Sequence, residues 1–451
     1  MNEKQNKMST MPMSKLVLDM GFPLMLSLLI QSLYNVVDSI FVARVSEKAL
    51  TATSLAFPMQ HLMIALSVGT AVGLNAVMAR AAGAKDEKRA CSVATTGFVI
   101  CLAVSCLFTV IGFLFSGAIA SSMTDDPETA SMTAVYMGIC VMFSQGIFIE
   151  KVAQRMLTSV GLSKYSMYSQ LAAALSNIIL DPILIFGWFG LPAMGVRGAA
   201  IATVAGQWLG AIAALYFNKM RNPTIHIRFR GWKWNWEDVR AIYRIGMPSM
   251  ITQSLSSVMT ALVNAILMPI SSTAVAFFGV YFRLQNFVFM PVNGMGQAVL
   301  PIAAFNLGAG SRARVREVWR VALRYALAVS LFGLLLFEAL PGQLLSLFSA
   351  GEEMMKLGVP ALRIIAVTFP LATFTYVSGY YCSGLGNAMV NLIGGLLRQV
   401  IVLVPALALL ARLFGVRAGW FAFWCAELAA FGFCLVMVRR LVRRRLGTDA
   451  E

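Results

Sequence analysis

Charged residues are scarce in this chain. Only 12% of its 451 residues are charged and 59% are hydrophobic, whereas soluble domains carry about 25% charged residues. Apolar runs of about 20 residues recur along the whole length, and a helix needs that length to cross a bilayer. The composition therefore excludes a soluble domain. It predicts an all-α membrane protein that crosses the lipid bilayer many times.

Histidine, paired cysteines and nucleotide-binding motifs are also rare or missing. The chain has two histidines, His61 and His226, and its seven cysteines show no CxxC spacing. Neither a metal site nor a disulfide framework is indicated. The sequence has no P-loop and no histidine- or serine-based catalytic constellation. We therefore expect no enzyme, no catalytic residue and no cofactor, and any uphill transport must draw on an ion gradient.

The positive charge is concentrated in alternate loops. The formal net charge is +16, and basic clusters lie at 1–15, 85–89, 151–164, 219–244, 312–320 and 439–445. Cytoplasmic loops of membrane proteins have this distribution, so it indicates orientation and not nucleic-acid binding. Both termini are predicted to be cytoplasmic. The first apolar run is too long for a cleaved signal peptide, so we expect it to be retained as a span.

Twelve spans are predicted from the apolar runs. Their approximate positions are 16–41, 50–80, 92–117, 131–155, 165–187, 196–217, 239–266, 273–305, 316–339, 357–383, 388–411 and 416–438. Each has about the length that a tilted transmembrane helix needs.

An internal repeat divides the chain into two halves. An offset of 225 aligns residues 21–89 with 246–314 without a gap, and Pro23 meets Pro248. Each copy has an even number of spans, so both copies share one orientation, as in transporters with parallel repeats. The predicted organisation is a cytoplasmic tail (1–15), a six-helix lobe (16–218), a cytoplasmic linker (219–238), a second six-helix lobe (239–438) and a basic cytoplasmic tail (439–451). We expect a pseudo-twofold axis and a central cavity.

A polar stripe runs along the first span. It consists of Gln31, Tyr34, Asn35 and Asp38, which share one helical face because they fall at i, i+3, i+4 and i+7. In the second copy Asp38 aligns with Val263, next to Asn264. The acid is therefore present in one copy only, and an acid inside a membrane span is a functional-site hypothesis.

A second intramembrane acid lies in the fifth span. Asn177 precedes Asp181 by one helical turn, and Pro182 follows it and removes a backbone donor. At about 1.5 Å of rise per residue, Thr203 in the sixth span lies at a similar depth. A carboxylate in such a setting can exchange H⁺ or hold Na⁺ with neighbouring amide and hydroxyl oxygens.

Structural roles are alternatives at this point. Asp38 can be a helix-end acid at the outer headgroups, and Asp181 can pair with an arginine for packing. Helix–helix hydrogen bonding alone can account for Asn177 and Thr203. Glu150 either helps to anchor the cytoplasmic end of the fourth span or meets a cation from the cytoplasm.

Two further charges, Arg398 and Glu427, fall inside adjacent spans that run in opposite directions. Each lies about 15 Å into its span at the helical rise, so the two side chains can form a buried pair. We leave the role of this pair open between structure and gating.

Four stretches of the chain carry a family resemblance. They are QSLYNVVDSIFVAR, LTSVGLSKYSMYSQ, NIILDPILIFGWFGLPAMGVRGAAIAT and LIGGLLRQVIVLVP, and they resemble the multidrug and toxic compound extrusion (MATE) transporters, with similarity to the bacterial MepA-like and DinF-like branches. The resemblance covers all twelve spans. It implies a multi-pass protein of the bacterial cytoplasmic membrane that exports drugs and organic cations in exchange for H⁺ or Na⁺. We expect a monomer.

The resemblance also implies residue roles. A cation or proton-coupling site maps onto Asp38, Asn177, Asp181 and Thr203, with Na⁺ at Asp38 and Asp181 as one form of it. The substrate cavity is predicted to include Gln31, Tyr34, Asn35, Glu150 and Asn264. The NorM-like branch has further acids in the second lobe, whereas the seventh span here offers Asn264 and the tenth span contains no acid.

Three other functions are alternatives to a drug antiporter that works by alternating access. A lipid-linked oligosaccharide flippase of the same superfamily is expected to line its cavity with several basic residues, whereas here they crowd the loops. An intramembrane enzyme lacks a catalytic constellation. A non-transporting receptor leaves the two lobes and the acids unexplained.

Overall fold

The computed structural model describes residues 6–348 and 350–447. Ten helices are long and apolar enough to cross a membrane, and two bent helix pairs bring the number of spans to 12. This confirms the predicted all-α, twelve-span architecture. Residues 1–5 and 448–451 of the two predicted tails lie outside the described part of the chain.

The spans are numbered in chain order. They are Met13–Ala43 (span 1), Glu47–Gly83 (span 2), Glu87–Met123 (span 3), Pro127–Met142 with Gln145–Ser159 (span 4), Ser163–Phe186 (span 5), Val196–Arg221 (span 6), Trp236–Leu267 (span 7), Ser272–Gly308 (span 8), Arg312–Ala339 (span 9), Glu352–Ala366 with Phe369–Gly384 (span 10), Met389–Phe414 (span 11) and Val416–Leu446 (span 12). Three short helices, Lys7–Thr10, Trp188–Gly190 and Pro341–Ser346, lie outside the spans.

Spans 4 and 10 are each broken near the middle. The two helices of span 4 meet at 42° and those of span 10 at 49°. The breaks, at residues 143–144 and 367–368, fall at equivalent places in the two copies of the repeat. Hydropathy averages over the two segments and predicts one span in each case. The break of span 10 is marked by Pro370 at the start of its second helix, whereas no proline lies at the break of span 4.

Internal prolines do not interrupt spans 1 and 5. Both helices are continuous through their internal prolines, Pro23 and Pro182. Span 11 contains an irregular turn just before Pro405: residues Leu397–Ile401 form a π-helix between two α-helical segments. Pro405 has no N–H to donate to the Ile401 carbonyl four residues earlier. Such single π-turns are frequent at functional sites because they rotate the side chains of one turn relative to the rest of the helix.

Spans 2 and 8 are the most buried of the ten unbroken spans. In the most apolar 18-residue stretch of each helix, 72% of the residues are buried in span 2 and 67% in span 8. A serine caps the start of each helix, because the Ser46 hydroxyl accepts from the backbone N–H of Ala49 and the Ser271 hydroxyl accepts from that of Ala274, at 3.0 and 3.2 Å. Such a cap satisfies one of the free donors at a helix N-terminus. The two serines are equivalent in the repeat.

The described chain forms two compact units. Unit 1 holds residues up to Met8 and Leu26–Met250, and unit 2 holds Ser9–Met25 and Ile251 onwards. The first half of span 1 therefore belongs to unit 2, and the first half of span 7 belongs to unit 1. Each unit contains the opening segment of the other copy of the repeat.

Glycine permits close packing of these opening segments. In unit 2, a Cβ added at Gly294 would lie 2.6 Å from the backbone of Met25 in span 1. In unit 1, a Cβ added at Gly69 would lie 3.0 Å from the backbone nitrogen of Met250 in span 7, and Met250 is the equivalent of Met25 at the offset of 225. Gly69 and Gly294 are equivalent in the repeat, so both units use the same contact.

Candidate functional site

Unit 1 encloses a cavity of about 450 Å³. Spans 1, 2, 4, 5 and 6 supply its walls. The polar residues of the lining are Gln31, Tyr34, Asn35, Asp38, Ser39, Thr53, Ser54, Gln60, Tyr136, Glu150, Lys151, Gln170, Asn177, Thr203 and Gln207. The whole predicted stripe of span 1 faces this cavity, together with Glu150, Asn177 and Thr203.

Asp181 lies behind this lining and is fully buried. Its carboxyl group is within hydrogen-bonding range of that of Asp38. One helical turn earlier, the Asn177 side-chain amide donates to Asp181 Oδ1 at 3.4 Å. Residues four apart on a helix share a face, so span 5 presents Asn177 and Asp181 together towards Asp38 of span 1.

Three buried oxygens of this group accept no hydrogen bond from the described residues. They are Asp38 Oδ1, Asn177 Oδ1 and Asp181 Oδ2. An unsatisfied buried acceptor costs about 1–3 kcal/mol, and two nearby carboxylates repel each other when both are charged. A proton or a hard monovalent cation relieves both costs. Carboxylate and amide oxygens are suitable ligands for either, so the residues present fit a small cation.

Thr203 reaches the group through a buried tyrosine. The side chain of Tyr136 in span 4 interacts with those of Thr203 and Gln60, and it lies near Asp38. Sequence reasoning missed Tyr136 and Gln60. The only signal was that both are polar residues inside apolar spans, and a single polar residue does not show which way its helix face points.

A second polar group lines the cavity around Glu150. Glu150 Oε1 accepts from the Gln154 side-chain amide at 2.8 Å, and Lys151 Nζ donates to Gln170 Oε1 at 3.2 Å. The Lys151 ammonium lies 3.6 Å from Glu150 Oε2. Glu150 and Lys151 are 2% and 8% exposed. Glu150 and Lys151 both line the cavity, and a role for Glu150 in substrate binding stays a prediction.

Asn264 does not line this cavity. It lies in the part of span 7 that belongs to unit 2, and the lining of the cavity does not include it. Its side-chain oxygen is buried and accepts no hydrogen bond from the described residues. A substrate-contacting role for Asn264 stays a prediction.

Arg398 and Glu427 form an ion pair in unit 2. Arg398 Nη2 lies 2.8 Å from Glu427 Oε1, and both side chains are 6% exposed. The guanidinium group also sits 4.2 Å above the centre of the Tyr376 ring, a cation–π geometry. The π-turn of span 11 carries Arg398.

The sequence also matches a known protein family. The sequence model of the MatE family matches residues 23–183 and 248–407, one match in each copy of the repeat. The chain belongs to the MATE family of multidrug efflux transporters, whose members are membrane transporters and not enzymes.

Two curated relatives illustrate the similarity. The multidrug export protein MepA of Staphylococcus aureus (strain bovine RF122 / ET3-1) is 22% identical over 442 residues, which cover 98% of this chain and 96% of MepA. The probable multidrug resistance protein YoeA of Bacillus subtilis (strain 168) is 28% identical over 350 residues, 77% of this chain and 75% of YoeA.

Solved structures share the fold. A MATE crystal structure in the bent conformation superposes with a TM-score of 0.91 at 22% identity and covers 100% of both chains. A MOP superfamily transporter from Pyrococcus furiosus, described as having a binding pocket of reverse polarity that suggests a different function, superposes with a TM-score of 0.89 at 22% identity over 99% of both chains. At this identity the likeness shows the fold alone.

Proposed function

We propose that the protein is a secondary active antiporter. It exports amphipathic, often cationic compounds in exchange for H⁺ or Na⁺ by alternating access. The observation that carries this proposal is the pairing of Asp38 and Asp181 at the wall of a drug-sized cavity, with buried oxygens that lack a donor among the described residues. Cavities of about 300–1,000 Å³ are typical of small-molecule sites.

The acid pair provides a mechanism for exchange. When both carboxylates are charged, they attract a cationic substrate into the cavity and also repel each other. A single H⁺ or Na⁺ at Asp38, Asn177 and Asp181 cancels one of the two negative charges and so weakens the attraction for the cationic substrate. The ion and the substrate therefore compete for the same charge, and each displaces the other on opposite sides of the membrane.

A flippase for lipid-linked oligosaccharides is less well supported. Such a substrate carries a pyrophosphate, and its recognition calls for several basic residues. Within the described part of the chain, Lys151 is the one basic residue of the cavity lining, and Glu150 lies beside it. The acids of the cavity favour cations instead.

We place the protein in the bacterial cytoplasmic membrane as a monomer with both termini in the cytoplasm. The clustering of basic residues in alternate loops supports this orientation. The expected substrates are drugs and organic cations. The names of the multidrug relatives support this class of substrate.

Transport by the purified protein in liposomes tests the proposal. Ethidium efflux is measured under a pH gradient alone and under a Na⁺ gradient alone. We expect one of the two gradients to drive efflux and Asp38→Asn to abolish it. Asp125→Asn, at an exposed loop acid, is the matched control and keeps wild-type efflux. Wild-type efflux in a folded Asp38→Asn variant would contradict the site, and no gradient-driven efflux in the wild type would contradict the function.

A further inference from the structure

The start of span 9 and the end of span 12 carry a dense group of arginines. Residues 439–445 of span 12 include five exposed arginines, and Arg320 and Arg324 of span 9 are also exposed. Among the described residues of 312–324 and 439–447, Glu317 is the one acid, and Asp449 and Glu451 follow in the sequence. A surface with this excess of positive charge attracts anions.

Two contacts at the helix ends bring the two groups of arginines together. Arg316 Nη2 of span 9 donates to the backbone oxygen of Gly447 at 3.0 Å, and Arg312 Nη1 donates to that of Leu446 at 3.4 Å. The start of one span thus meets the end of the other, so the two helices run in opposite directions. At about 1.5 Å of rise per residue, Arg439 lies at about the depth of Arg320.

The second helix of span 10 packs beside this part of span 9. Its Ser378 hydroxyl accepts from Trp319 Nε1 at 3.2 Å. One turn later, Tyr381 is 1% exposed and lies near Arg316 and Arg320. The Tyr381 hydroxyl has no hydrogen-bond partner among the described residues. A buried donor without an acceptor is destabilising, so an anionic oxygen at this place would satisfy it.

The arginines continue the exposed apolar faces of their helices. In span 12, Arg439 follows Leu428 by 11 residues, and in span 9, Arg324 precedes Leu335 by 11 residues. A separation of 11 residues is about three helical turns, so the members of each pair share a face. Leu428 and Leu335 are 52% and 65% exposed. Exposed leucines of a membrane span contact lipid chains, so the arginines lie where the same lipids have their headgroups.

The other copy of the repeat covers the corresponding part of span 3 with its own chain. The backbone N–H of Arg228 in the linker donates to Thr95 Oγ1 at 3.0 Å, and Trp232 Nε1 donates to Thr96 Oγ1 at 3.2 Å. At the offset of 225, Thr95 corresponds to Arg320. Span 9 therefore has an exposed arginine where span 3 has a hydroxyl that binds the linker.

Membrane orientation alone does not account for the choice of arginine. The ten basic residues of 312–324 and 439–445 are all arginines, whereas the orientation rule counts lysine and arginine alike. The guanidinium group binds two oxygens of one phosphate at once, which an ammonium group does not. Clusters of basic residues directly cytoplasmic of a transmembrane helix attract anionic lipids.

We propose that the start of span 9 and the end of span 12 form a binding surface for the headgroups of anionic phospholipids of the cytoplasmic leaflet. Arg320, Arg439 and Arg443 bind the phosphate, and the acyl chains lie along the exposed leucines of the two spans. None of these arginines lines the cavity of unit 1. The proposal concerns a lipid partner and does not depend on the export function.

Binding of fluorescent phospholipids by the purified full-length protein in detergent tests this proposal. Phosphatidylglycerol and phosphatidylcholine that carry the same fluorophore are titrated separately, and their anisotropy gives the two dissociation constants. One variant combines Arg320→Gln, Arg439→Gln and Arg443→Gln, and a second has lysine at the same three positions. The matched control combines Arg228→Gln, Arg230→Gln and Lys233→Gln, which remove three exposed charges of the linker.

We expect the wild type to bind phosphatidylglycerol about ten-fold or more tightly than phosphatidylcholine, and the glutamine variant to lose most of this preference. The lysine variant should keep part of it, because it retains the charge but not the fork of donors. The linker control should keep all of it. An unchanged preference in the folded glutamine variant would overturn the proposal. An equal loss in the linker control would also overturn it, because net charge alone would then be responsible.

Two further measurements complete the test. Unlabelled phosphatidylglycerol should displace the fluorescent lipid far better than inorganic phosphate does, and equal displacement by the two would overturn the proposal in favour of a soluble anion. If the glutamine variant does not fold, the single replacements Arg320→Gln and Arg439→Gln take its place. Each should weaken the binding of phosphatidylglycerol a few-fold, and no effect of either would overturn the proposal.

Discussion

Arg398 and Glu427 form a buried ion pair, with Nη2 and Oε1 2.8 Å apart, at positions that correspond to the cavity lining of the other copy. The offset of 225 pairs Arg398 with Ala173, and the offset of 220 that aligns Gly195 with Gly415 pairs Glu427 with Gln207. Ala173 and Gln207 both line the cavity of unit 1. Unit 2 thus places a balanced pair of charges where unit 1 has small or neutral side chains.

Removal of one partner of this pair should destabilise the protein. Glu427→Gln leaves the Arg398 guanidinium buried without a countercharge, and we expect the free energy of unfolding to fall by about 3–5 kcal/mol. The double replacement Arg398→Met with Glu427→Leu should recover most of this loss. Thermal unfolding in detergent measures both, and Glu352→Gln in the exposed Lys356 pair is the control, with an expected change below about 1 kcal/mol. If the single and double variants were equally stable, the unpaired charge of Arg398 would not be the cause of the lost stability.

The oxygen ligands near Asp38 should set the affinity for the coupling ion. Asn177→Ala removes a buried oxygen and the hydrogen bond donated to Asp181, so the ion concentration for half-maximal efflux should rise about ten-fold. Asp181→Asn should abolish gradient-driven efflux. Ser176→Ala is the neighbouring control, because its hydroxyl bonds only its own helix, at Ala172. An unchanged ion dependence in Asn177→Ala would remove this residue from the site.

The close contact at Gly294 should tolerate no side chain. Gly294→Ala forces a methyl group against the backbone of Met25 in unit 2, and overpacking of this kind costs about 1–3 kcal/mol. Gly279→Ala in the same span meets open space and should stabilise the helix by about 0.5–1 kcal/mol. The two variants should therefore shift the midpoint of thermal unfolding in opposite directions. A shift in the same direction for both would contradict the packing argument.

The loop acid Asp126 should contribute a pH-dependent part of the stability. The Thr129 hydroxyl donates to its carboxylate, as do the Thr129 backbone N–H and Lys48, and these bonds hold the pKa of Asp126 below its usual value. Because the pKa of Asp126 is lower in the folded than in the unfolded protein, its carboxylate stabilises the folded state at pH values above the unfolded pKa of about 3.9. This stabilisation is lost as the pH falls through the folded pKa. Thr129→Val should therefore be less stable than the wild type at neutral pH.

The difference in the free energy of unfolding between the wild type and Thr129→Val should narrow as the pH falls below about 4. Unfolding curves at a series of pH values measure this difference. Thr133→Val is the control, because its hydroxyl bonds a backbone carbonyl and no carboxylate, so its effect should be independent of pH. A Thr129→Val deficit that persists unchanged at low pH would show that packing, and not the charge of Asp126, is responsible.

Hydropathy and the repeat predict the fold because both depend on many residues at once. Twelve apolar runs are long enough to cross a membrane, and the described chain forms the corresponding helices. The bend of span 4 could not be predicted, since no proline lies at residues 143–144. Span 10 has Pro370 directly after its break, a signal that an average of hydropathy does not register. The break depends on how the two segments pack against neighbouring helices.

The candidate site was only partly predictable, for a related reason. The stripe that ends at Asp38 shares a helical face, and that face lines the cavity. Lys151, Gln154 and Tyr136 belong to no such stripe. The direction of each side chain depends on the rotation of its own segment of span 4, and tertiary packing determines that rotation. The position of Lys151 near the cytoplasmic end of a straight span suggested exposure, whereas it is buried in the bent span.

The exchange of opening segments has a consequence for biosynthesis. Unit 1 includes the chain up to Met250, and unit 2 includes Ser9–Met25. The first six spans therefore cannot complete their unit when they leave the ribosome, because the first half of span 7 has not yet been made. The segment Ser9–Met25 is made first, whereas most of the unit that contains it is made last. We therefore expect a chain cut at the linker to yield two fragments that each lack a segment of one compact unit.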